Sequence, residues 1–129
     1  MGKETGDMEY ESGYKNLTVY RKADELVLAI YGITRKFPKD ELFGLVSQMR
    51  RCAVSVPANI VEGYGRNTEK DKLQFYYIAR GSLNELEYYI DLSYKLKYID
   101  DNDHRELIGI RNSVGRLLFG FIKSKEVRK

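Results

Sequence analysis

Apolar residues recur every three or four positions along four successive segments of the chain, and this spacing constrains the fold more than any other feature. The four sets are Val19, Ala23, Leu26, Ile30, Ile33 and Phe37; Leu42, Leu45, Met49, Cys52 or Ala53, Val56 and Ile60; Leu73, Tyr76, Ala79, Leu83, Leu86, Ile90 and Tyr94; and Leu107, Ile110, Val114, Leu117, Leu118 and Phe121. Such spacing places each set on one face of an α-helix. No strand-like alternation flanked by hairpin turns competes with it. The sequence therefore predicts an all-α fold, an antiparallel up-down-up-down four-helix bundle.

Local signals indicate where these helices begin and end. Thr18 is a suitable N-cap for the first helix, and Pro38 stops that helix because the residue before a proline disfavours helical geometry. The same proline suits the start of the second helix, which is expected to end at Gly63 and Gly65. Thr68 begins a capping-box pattern for the third helix. The predicted domain covers residues 14–124, between a flexible leader (1–13) and a basic tail (125–129).

Helices two and three carry a second set of apolar and small residues, well away from their core stripes. These residues are Phe43, Gly44, Ser47, Val54, Ala58 and Val61 on helix two, and Phe75, Ile78 and Tyr89 on helix three. Every helix of a four-helix bundle is peripheral, so a second apolar face is expected to contact another chain. The set predicts a homo-oligomer packed through helices two and three. The alternative is a wide core face with some aromatic side chains left at the surface.

Pro57 falls inside the predicted second helix. A proline there removes one backbone hydrogen bond and costs about 3 kcal/mol. Ser55 and Asn59 flank it and could satisfy carbonyls that are left without a donor. We expect a kink that serves packing, rather than a moving hinge.

The composition argues against an enzyme. The chain has a single cysteine, Cys52, and a single histidine, His104, which excludes an internal disulfide, a cysteine-rich zinc site and a histidine metal cluster. The segment from Gly63 to Gly65 lacks the lysine and the preceding strand of a phosphate-binding loop. We therefore expect no catalytic residue, no metal, no cofactor and no small-molecule substrate.

The charge is slightly positive and is concentrated at one end. Lys and Arg number 22 against 19 Asp and Glu, a net charge of +3. Residues 1–13 carry −3, residues 14–109 carry +1 and residues 110–129 carry +5. The basic end could contact phosphates or be an ordinary solvated helix end. The longest apolar run, residues 26–33, is far too short to cross a bilayer, so we expect no membrane contact and a cytoplasmic protein.

One stretch of the sequence is distinctive enough to suggest a family. It is QMRRCAVSVPANIVEGYGR at residues 48–66, and YKNLTVYRKADEL (14–26), FP (37–38) with ELFGL (41–45), and ARGSLNELE (79–87) accompany it in order. Together they resemble proteins encoded by intervening sequences in bacterial 23S rRNA genes, over about residues 14–122. Tyr20 stands where that family usually has tryptophan, and Cys52 where it usually has alanine.

This resemblance implies both a fold and an assembly. The fold is an antiparallel four-helix bundle, and the assembly is a ring-like homopentamer. It also implies kinship with the accessory variability proteins of diversity-generating retroelements, which work with a reverse transcriptase and RNA. It implies no enzymatic activity. Since alanine is usual at the position of Cys52, the thiol is not expected to have essential chemistry.

Basic residues near this stretch are the candidates for a ligand site. Arg50 and Arg51 are adjacent in a helix, so they point about 100° apart and cannot share one target. Arg51 falls on the second face, where an ion-pair network with Glu62 or Glu85 is the first interpretation. RNA phosphate binding is the second, and the candidate nucleic-acid-binding residues are Arg50, Arg51, Arg66, Lys70 and Lys72. Five copies of the chain would concentrate their positive charge around one axis.

Two functions of different class remain open. The first is an oligomeric module that binds rRNA or other RNA through basic residues, with Tyr64, Tyr77 and Tyr88 able to stack on bases or simply to pack. The second is a structural protein–protein scaffold or accessory subunit, for example to a reverse transcriptase, with no direct contact to nucleic acid.

Overall fold

Four long helices account for most of the computed structural model, which describes residues 13–126. They are α1 (Thr18–Thr34), α2 (Leu45–Tyr64), α3 (Glu69–Lys95) and α4 (Asp101–Glu126). Two short 3-10 turns, Gly13–Asn16 and Lys39–Glu41, precede α1 and α2. Residues 13–126 contain no strand, so the all-α prediction is confirmed. The predicted leader and tail lie outside the described residues, apart from Gly13 and residues 125–126.

Each long helix packs against two others. Helix α1 contacts α2 and α4, and helix α3 contacts the same two. Among the described residues, no close backbone contact joins α1 to α3 or α2 to α4. The four helices therefore surround a single core, and each also has an outward face.

The core is built from the predicted apolar stripes. Its largest fully buried side chains are Leu26, Ile30, Met49, Val56, Ile60, Tyr76, Leu83, Leu86, Ile90, Val114, Leu118 and Ile122. Tyr94, which was expected to close the α3 stripe, is exposed, and its hydroxyl donates to Asp101. Buried Ser93 donates to the Tyr89 carbonyl at 2.8 Å. The period of the sequence thus identifies the buried faces. Ile122 is a core residue that was not predicted, and four predicted core residues are only partly buried against the core: Ile33, Ile110, Leu117 and Phe121.

The start of α2 differs from the prediction. The chain leaves Pro38 in a 3-10 turn, and the helix begins only at Leu45. The Glu41 carboxylate accepts a hydrogen bond from the Leu45 backbone N–H at 3.1 Å, so this side chain caps the later start. Leu42, predicted as core, is instead 49% exposed, and Phe43 is 92% exposed.

Of the two other predicted N-caps, Thr68 is confirmed and Thr18 is wrong. Thr18 is the first helical residue of α1 rather than its N-cap, and the cap residue, Leu17, offers no side-chain bond. Thr68 caps α3 as predicted, since its Oγ1 accepts from the Asp71 N–H at 3.1 Å. At α4, Asp100 and Asp103 exchange side-chain to backbone bonds of 2.8 and 3.3 Å in a capping box.

Helix α3 ends in a left-handed residue that is not glycine. Lys97 has φ 67°, and its N–H donates to the Tyr94 carbonyl, while the Tyr98 N–H donates to the Ser93 carbonyl. These two bonds form a Schellman motif. The position is one where a side chain costs free energy and glycine would not.

Helix α2 is continuous through Pro57 and ends at Tyr64, without a residue in the left-handed conformation. The Asn59 side chain donates to the Ser55 carbonyl at 2.8 Å, next to the proline. Gly65 follows the helix with φ −85°, and Gly63 is buried inside it. A Cβ at Gly63 would lie 2.6 Å from a ring carbon of Tyr76. The expectation that both glycines make the turn is therefore wrong for Gly63. Because Gly63 has no side chain, α2 and α3 can approach closely at this position.

Candidate interaction surfaces

A ladder of polar contacts runs along the outer seam between α2 and α3. Arg51 Nη2 lies 3.1 Å from Glu85 Oε2, and the Tyr89 hydroxyl donates to the same carboxylate oxygen at 3.0 Å. The Oγ atoms of Ser55 and Ser82 are 2.7 Å apart. The predicted Arg51–Glu85 pair is thus present. The hydrogen bond from Tyr89, ahead of the contributions of Cys52 and Arg51, lowers the pKa of Glu85.

The alternative acidic partner of Arg51, Glu62, pairs with another residue. Its carboxylate lies 2.6 Å from Arg66 Nη2, one helical turn away. The Arg66 guanidinium also lies over the Phe75 ring, 4.6 Å from its centroid. Arg66 therefore ties the end of α2 to the start of α3, and it covers part of an aromatic ring that was predicted to be interfacial.

The nine predicted interface residues lie at the surface of α2 and α3 or, for Phe43 and Gly44, just before α2, and they form two groups. Phe43, Ser47 and Val54 line one groove beside α1, together with Leu42 and Tyr31. The others lie along α2 and α3, or at the N-cap of α2 for Gly44, and are partly or largely exposed: Gly44, Ala58, Val61, Phe75, Ile78 and Tyr89. Ile78 is 50% exposed and Val54 is 40% exposed. The chain itself leaves much of this apolar surface uncovered.

Arg50 is held against α1, about 100° around α2 from Arg51. Its Nε donates to Thr34 Oγ1 at 3.0 Å, and its guanidinium lies 4.6 Å from the centroid of the Tyr31 ring. Thr34 is buried and donates in turn to the Ile30 carbonyl at 2.7 Å. The two adjacent arginines therefore face different helices, as their spacing predicts.

The remaining basic candidates lie at the connection between α2 and α3. Lys72 Nζ donates to the Tyr64 carbonyl at 2.8 Å and lies over the Tyr64 ring. Lys70 is exposed in the first turn of α3. Arg66 stands just before that helix. Three of the five predicted basic residues thus share one end of the molecule, whereas Arg50 and Arg51 lie in the first half of α2, away from that end.

A second basic surface, which the sequence reasoning did not identify as a site, lies between α3 and α4. Arg80 of α3 and Arg111 and Arg116 of α4 line a groove there. Asn84, Asn112 and the exposed ring of Phe119 lie in the same groove. The only signal in the sequence was the excess of positive charge in residues 110–129.

The single cysteine and the single histidine lie on different helices, α2 and α4. Cys52 is fully buried, and burial, followed by the charge of Glu85, raises the pKa of its thiol to about 11. His104 Nε2 lies 2.8 Å from Asp91 Oδ1, and its ring stacks on Tyr94. In the part of the chain that the structure describes, no three metal-binding side chains come together. No helix of residues 13–126 is long and apolar enough to span a membrane.

Comparison with known proteins gives a family and a fold. Residues 15–120 match the family model described as 23S rRNA-intervening sequence protein. The fold is similar to that of a solved structure from Bacteroides thetaiotaomicron VPI-5482, a protein of unknown function from the S23 ribosomal protein family. The two share 24% identity with a TM-score of 0.76, over 81% of this chain and 95% of that one. No curated protein matches the chain at a significant level.

Proposed function

The chain belongs to the 23S rRNA-intervening sequence protein family, and from this we propose that it is a non-enzymatic, homo-oligomeric four-helix protein that binds RNA through basic side chains. The proposal has three parts, which are the arrangement of the helices, the assembly of the chains and the ligand. Each has separate support in the described residues.

The proposed arrangement is the antiparallel up-down-up-down bundle. Its support is the order in which residues of α3 and α4 meet. His104, early in α4, pairs with Asp91, late in α3, and Arg111 Nη2 donates to Asn84 Oδ1 at 2.8 Å farther along. Residue numbers thus fall along α3 as they rise along α4, as in two antiparallel neighbours.

The exposure of large apolar side chains is the strongest single observation, and it supports assembly through α2 and α3. Phe43 is 92% exposed and Val54 is 40% exposed in one groove that Leu42 also lines, and Ile78 of α3 is 50% exposed. A soluble protein rarely leaves large apolar side chains exposed together unless another surface covers them. The ring-like homopentamer implied by the family resemblance provides such a surface.

RNA binding is supported by charge and by the family. Each copy carries +3, so a pentamer would carry +15. Arg66, Lys70 and Lys72 share one end of each copy with the exposed Tyr64 ring. A positively charged ring attracts a polyanion, and exposed tyrosines can stack on unpaired bases. We propose the cytoplasm as the location, because rRNA is found there.

A protein–protein scaffold without nucleic-acid contact is the second candidate. Its support is the intramolecular pairing of the predicted ligand residues. Arg51 and Arg66 each form an ion pair, at 3.1 and 2.6 Å, and Arg50 donates to Thr34. These contacts are those expected of arginines that hold helices together.

Two measurements on the full chain test the proposal. Light scattering gives the mass: five copies of the 15.0 kDa chain give about 75 kDa, and a monomer at micromolar concentration contradicts the assembly. Fluorescence anisotropy with a labelled 23S rRNA fragment tests the ligand. Binding that weakens steeply with salt supports RNA recognition, whereas no binding by the intact oligomer supports the scaffold.

A further inference from the structure

The groove between α3 and α4 contains one arginine that other side chains hold in place and two arginines that form no ion pair within residues 13–126. Its most buried charge is Arg111, whose side chain is 14% exposed. Arg111 donates to Asn84 Oδ1 at 2.8 Å and to Asn112 Oδ1 at 3.1 Å, and it lies 3.5 Å from Glu87. A Cβ at Gly115 would lie 3.2 Å from the Arg111 guanidinium, so the small residue leaves room for it. Arg111 is therefore a fixed positive charge in the groove wall.

The other two arginines of the groove are not neutralised in this way. Arg80 lies over the Tyr77 ring, 4.9 Å from its centroid, and Arg116 donates to Ser113 Oγ at 3.3 Å. Neither forms an ion pair with an acidic side chain of residues 13–126. Glu87 offsets the charge of Arg111, so Arg80 and Arg116 supply the remaining positive charge of the groove lining. Each of these guanidiniums can donate two parallel hydrogen bonds to an anion such as a phosphodiester.

An aromatic ring stands among these charges. Phe119 lines the same groove and is 61% exposed. An exposed phenyl ring next to arginines is the arrangement that single-strand-binding proteins use, in which guanidiniums follow the backbone and a base stacks on the ring. An acidic peptide would satisfy the arginines but would leave the phenyl ring uncovered. A duplex would present no unpaired base to it.

We propose that the α3–α4 groove binds a single-stranded segment of RNA, with backbone phosphates on Arg80 and Arg116 and an unpaired base on Phe119. This site rests on the proposed RNA-binding function and adds to it a location away from the apolar residues of α2. It is also distinct from the basic residues at the α2–α3 connection. Arg80 and Arg116 come from two successive helices, and the packing of α4 on α3 brings them into one groove.

The test compares charge-removing variants on the two basic surfaces of the full-length protein. The probe is a fluorescein-labelled oligouridylate of about 12 nucleotides, and its affinity is measured by anisotropy over a range of salt. The groove variant is Arg80→Gln with Arg116→Gln. The rival variant is Arg66→Gln with Lys70→Gln. Arg105→Gln, an exposed arginine elsewhere on α4, is the matched control.

The groove variant is expected to lose at least about tenfold in affinity, and its salt dependence is expected to fall by about 1.4 in log–log slope, since two phosphate contacts are lost. Phe119→Ala should weaken oligouridylate binding but leave the salt slope unchanged. Arg105→Gln should change the affinity by less than about twofold.

The outcomes that overturn the inference differ from those that overturn RNA binding itself. If the parent protein binds RNA and only Arg66→Gln with Lys70→Gln weakens it, the groove is not the site and the proposed function stands. If the parent protein binds no RNA, both fail. Tight binding of polyglutamate, with no RNA binding, would assign the groove to an acidic protein partner instead.

Discussion

The Tyr98 hydroxyl donates a hydrogen bond to Glu41 Oε2 at 2.8 Å, which joins two connections of the chain that are 57 residues apart in sequence. The other oxygen of Glu41 caps the start of α2 at Leu45. Tyr98 also packs on Phe37, with ring centroids 5.2 Å apart. One carboxylate therefore fixes both the α1–α2 turn and the position of the α3–α4 connection.

This hydrogen bond makes stability depend on pH at both ends of the scale. The bond from Tyr98, and then that from Leu45, lowers the pKa of Glu41, and the same bond raises the pKa of Tyr98. The Glu41 contribution is present above its unfolded pKa and is lost as the pH falls through the folded value. The Tyr98 contribution is present below about pH 10 and is lost as the pH rises through its folded value.

We therefore expect Tyr98→Phe to destabilise the protein most near neutral pH, and to differ less from the parent below about pH 4 and above about pH 10. Urea unfolding at several pH values measures this difference. Tyr88→Phe is the control, because Tyr88 is exposed. A difference between parent and Tyr98→Phe that stays constant with pH would contradict the linkage.

Gly63→Ala is expected to destabilise the protein by about 1–3 kcal/mol, because the new methyl group overlaps the Tyr76 ring. Thermal or urea unfolding measures the loss. Gly109→Ala is the control: it lies in α4 with no atom within 4 Å of a new Cβ, and alanine favours the helix. It should stabilise by about 0.5–1 kcal/mol. Equal effects at the two sites would show that Gly63 is not a contact point.

Ile78→Asp is expected to dissociate the proposed homo-oligomer, because it places a charge on the predicted interface of α3. Light scattering at several concentrations measures the change. Leu28→Asp is the control, since Leu28 is also an exposed large apolar residue but lies on α1, where it is 67% exposed. If Leu28→Asp dissociates the oligomer and Ile78→Asp does not, the interface lies on α1 and not on α2 and α3.

Lys97→Gly is expected to stabilise the protein by about 1 kcal/mol, because the left-handed backbone at this position costs free energy for any residue with a Cβ. Lys95→Gly, two residues earlier and inside α3, should destabilise by up to about 1 kcal/mol. Guanidinium unfolding of the pair compares them. A loss of stability in Lys97→Gly would mean that the lysine side chain has a role beyond its backbone.

Arg50→Gln is expected to cost about 1–2 kcal/mol of stability, since it removes the bond to Thr34 and the stacking on Tyr31. Its RNA affinity should match that of Arg35→Gln, an exposed arginine just after α1. Urea unfolding and anisotropy separate the two effects. A strong loss of RNA affinity without a loss of stability would return Arg50 to the ligand-binding residues.

Much of the fold follows from local sequence, because the period of the apolar residues determines which face of each helix is buried. The Arg51–Glu85 pair could also be predicted from the sequence, since an arginine on a face of small residues needs an acidic partner. The start of α2 could not be predicted, because a side-chain cap from Glu41 outweighs the preference of Pro38 for a first helical turn. The role of Gly63 could not be predicted either, because it depends on a ring of another helix.

The arginine groove shows a different limit. Arg80 and Arg116 are 36 positions apart, and only the packing of α3 on α4 places them in one groove. The excess of positive charge in residues 110–129 indicated that α4 is basic, but it did not indicate that α3 supplies the other wall of the groove. A basic pair such as Arg50 and Arg51 is easier to notice in a sequence, yet both of these side chains bond within the chain.

The proposed interface residues lie on α2, on α3 and just before α2, whereas the groove lined by Arg80, Arg111 and Arg116 lies between α3 and α4. Copies that associate through the apolar face would therefore repeat the groove around the assembly, one per subunit. A strand long enough to reach two grooves would make its second contact intramolecularly, at an effective concentration set by the length of the intervening nucleotides. Avidity, rather than the strength of any one groove, would then decide which RNA molecules are retained, and affinity should rise in steps as the strand lengthens.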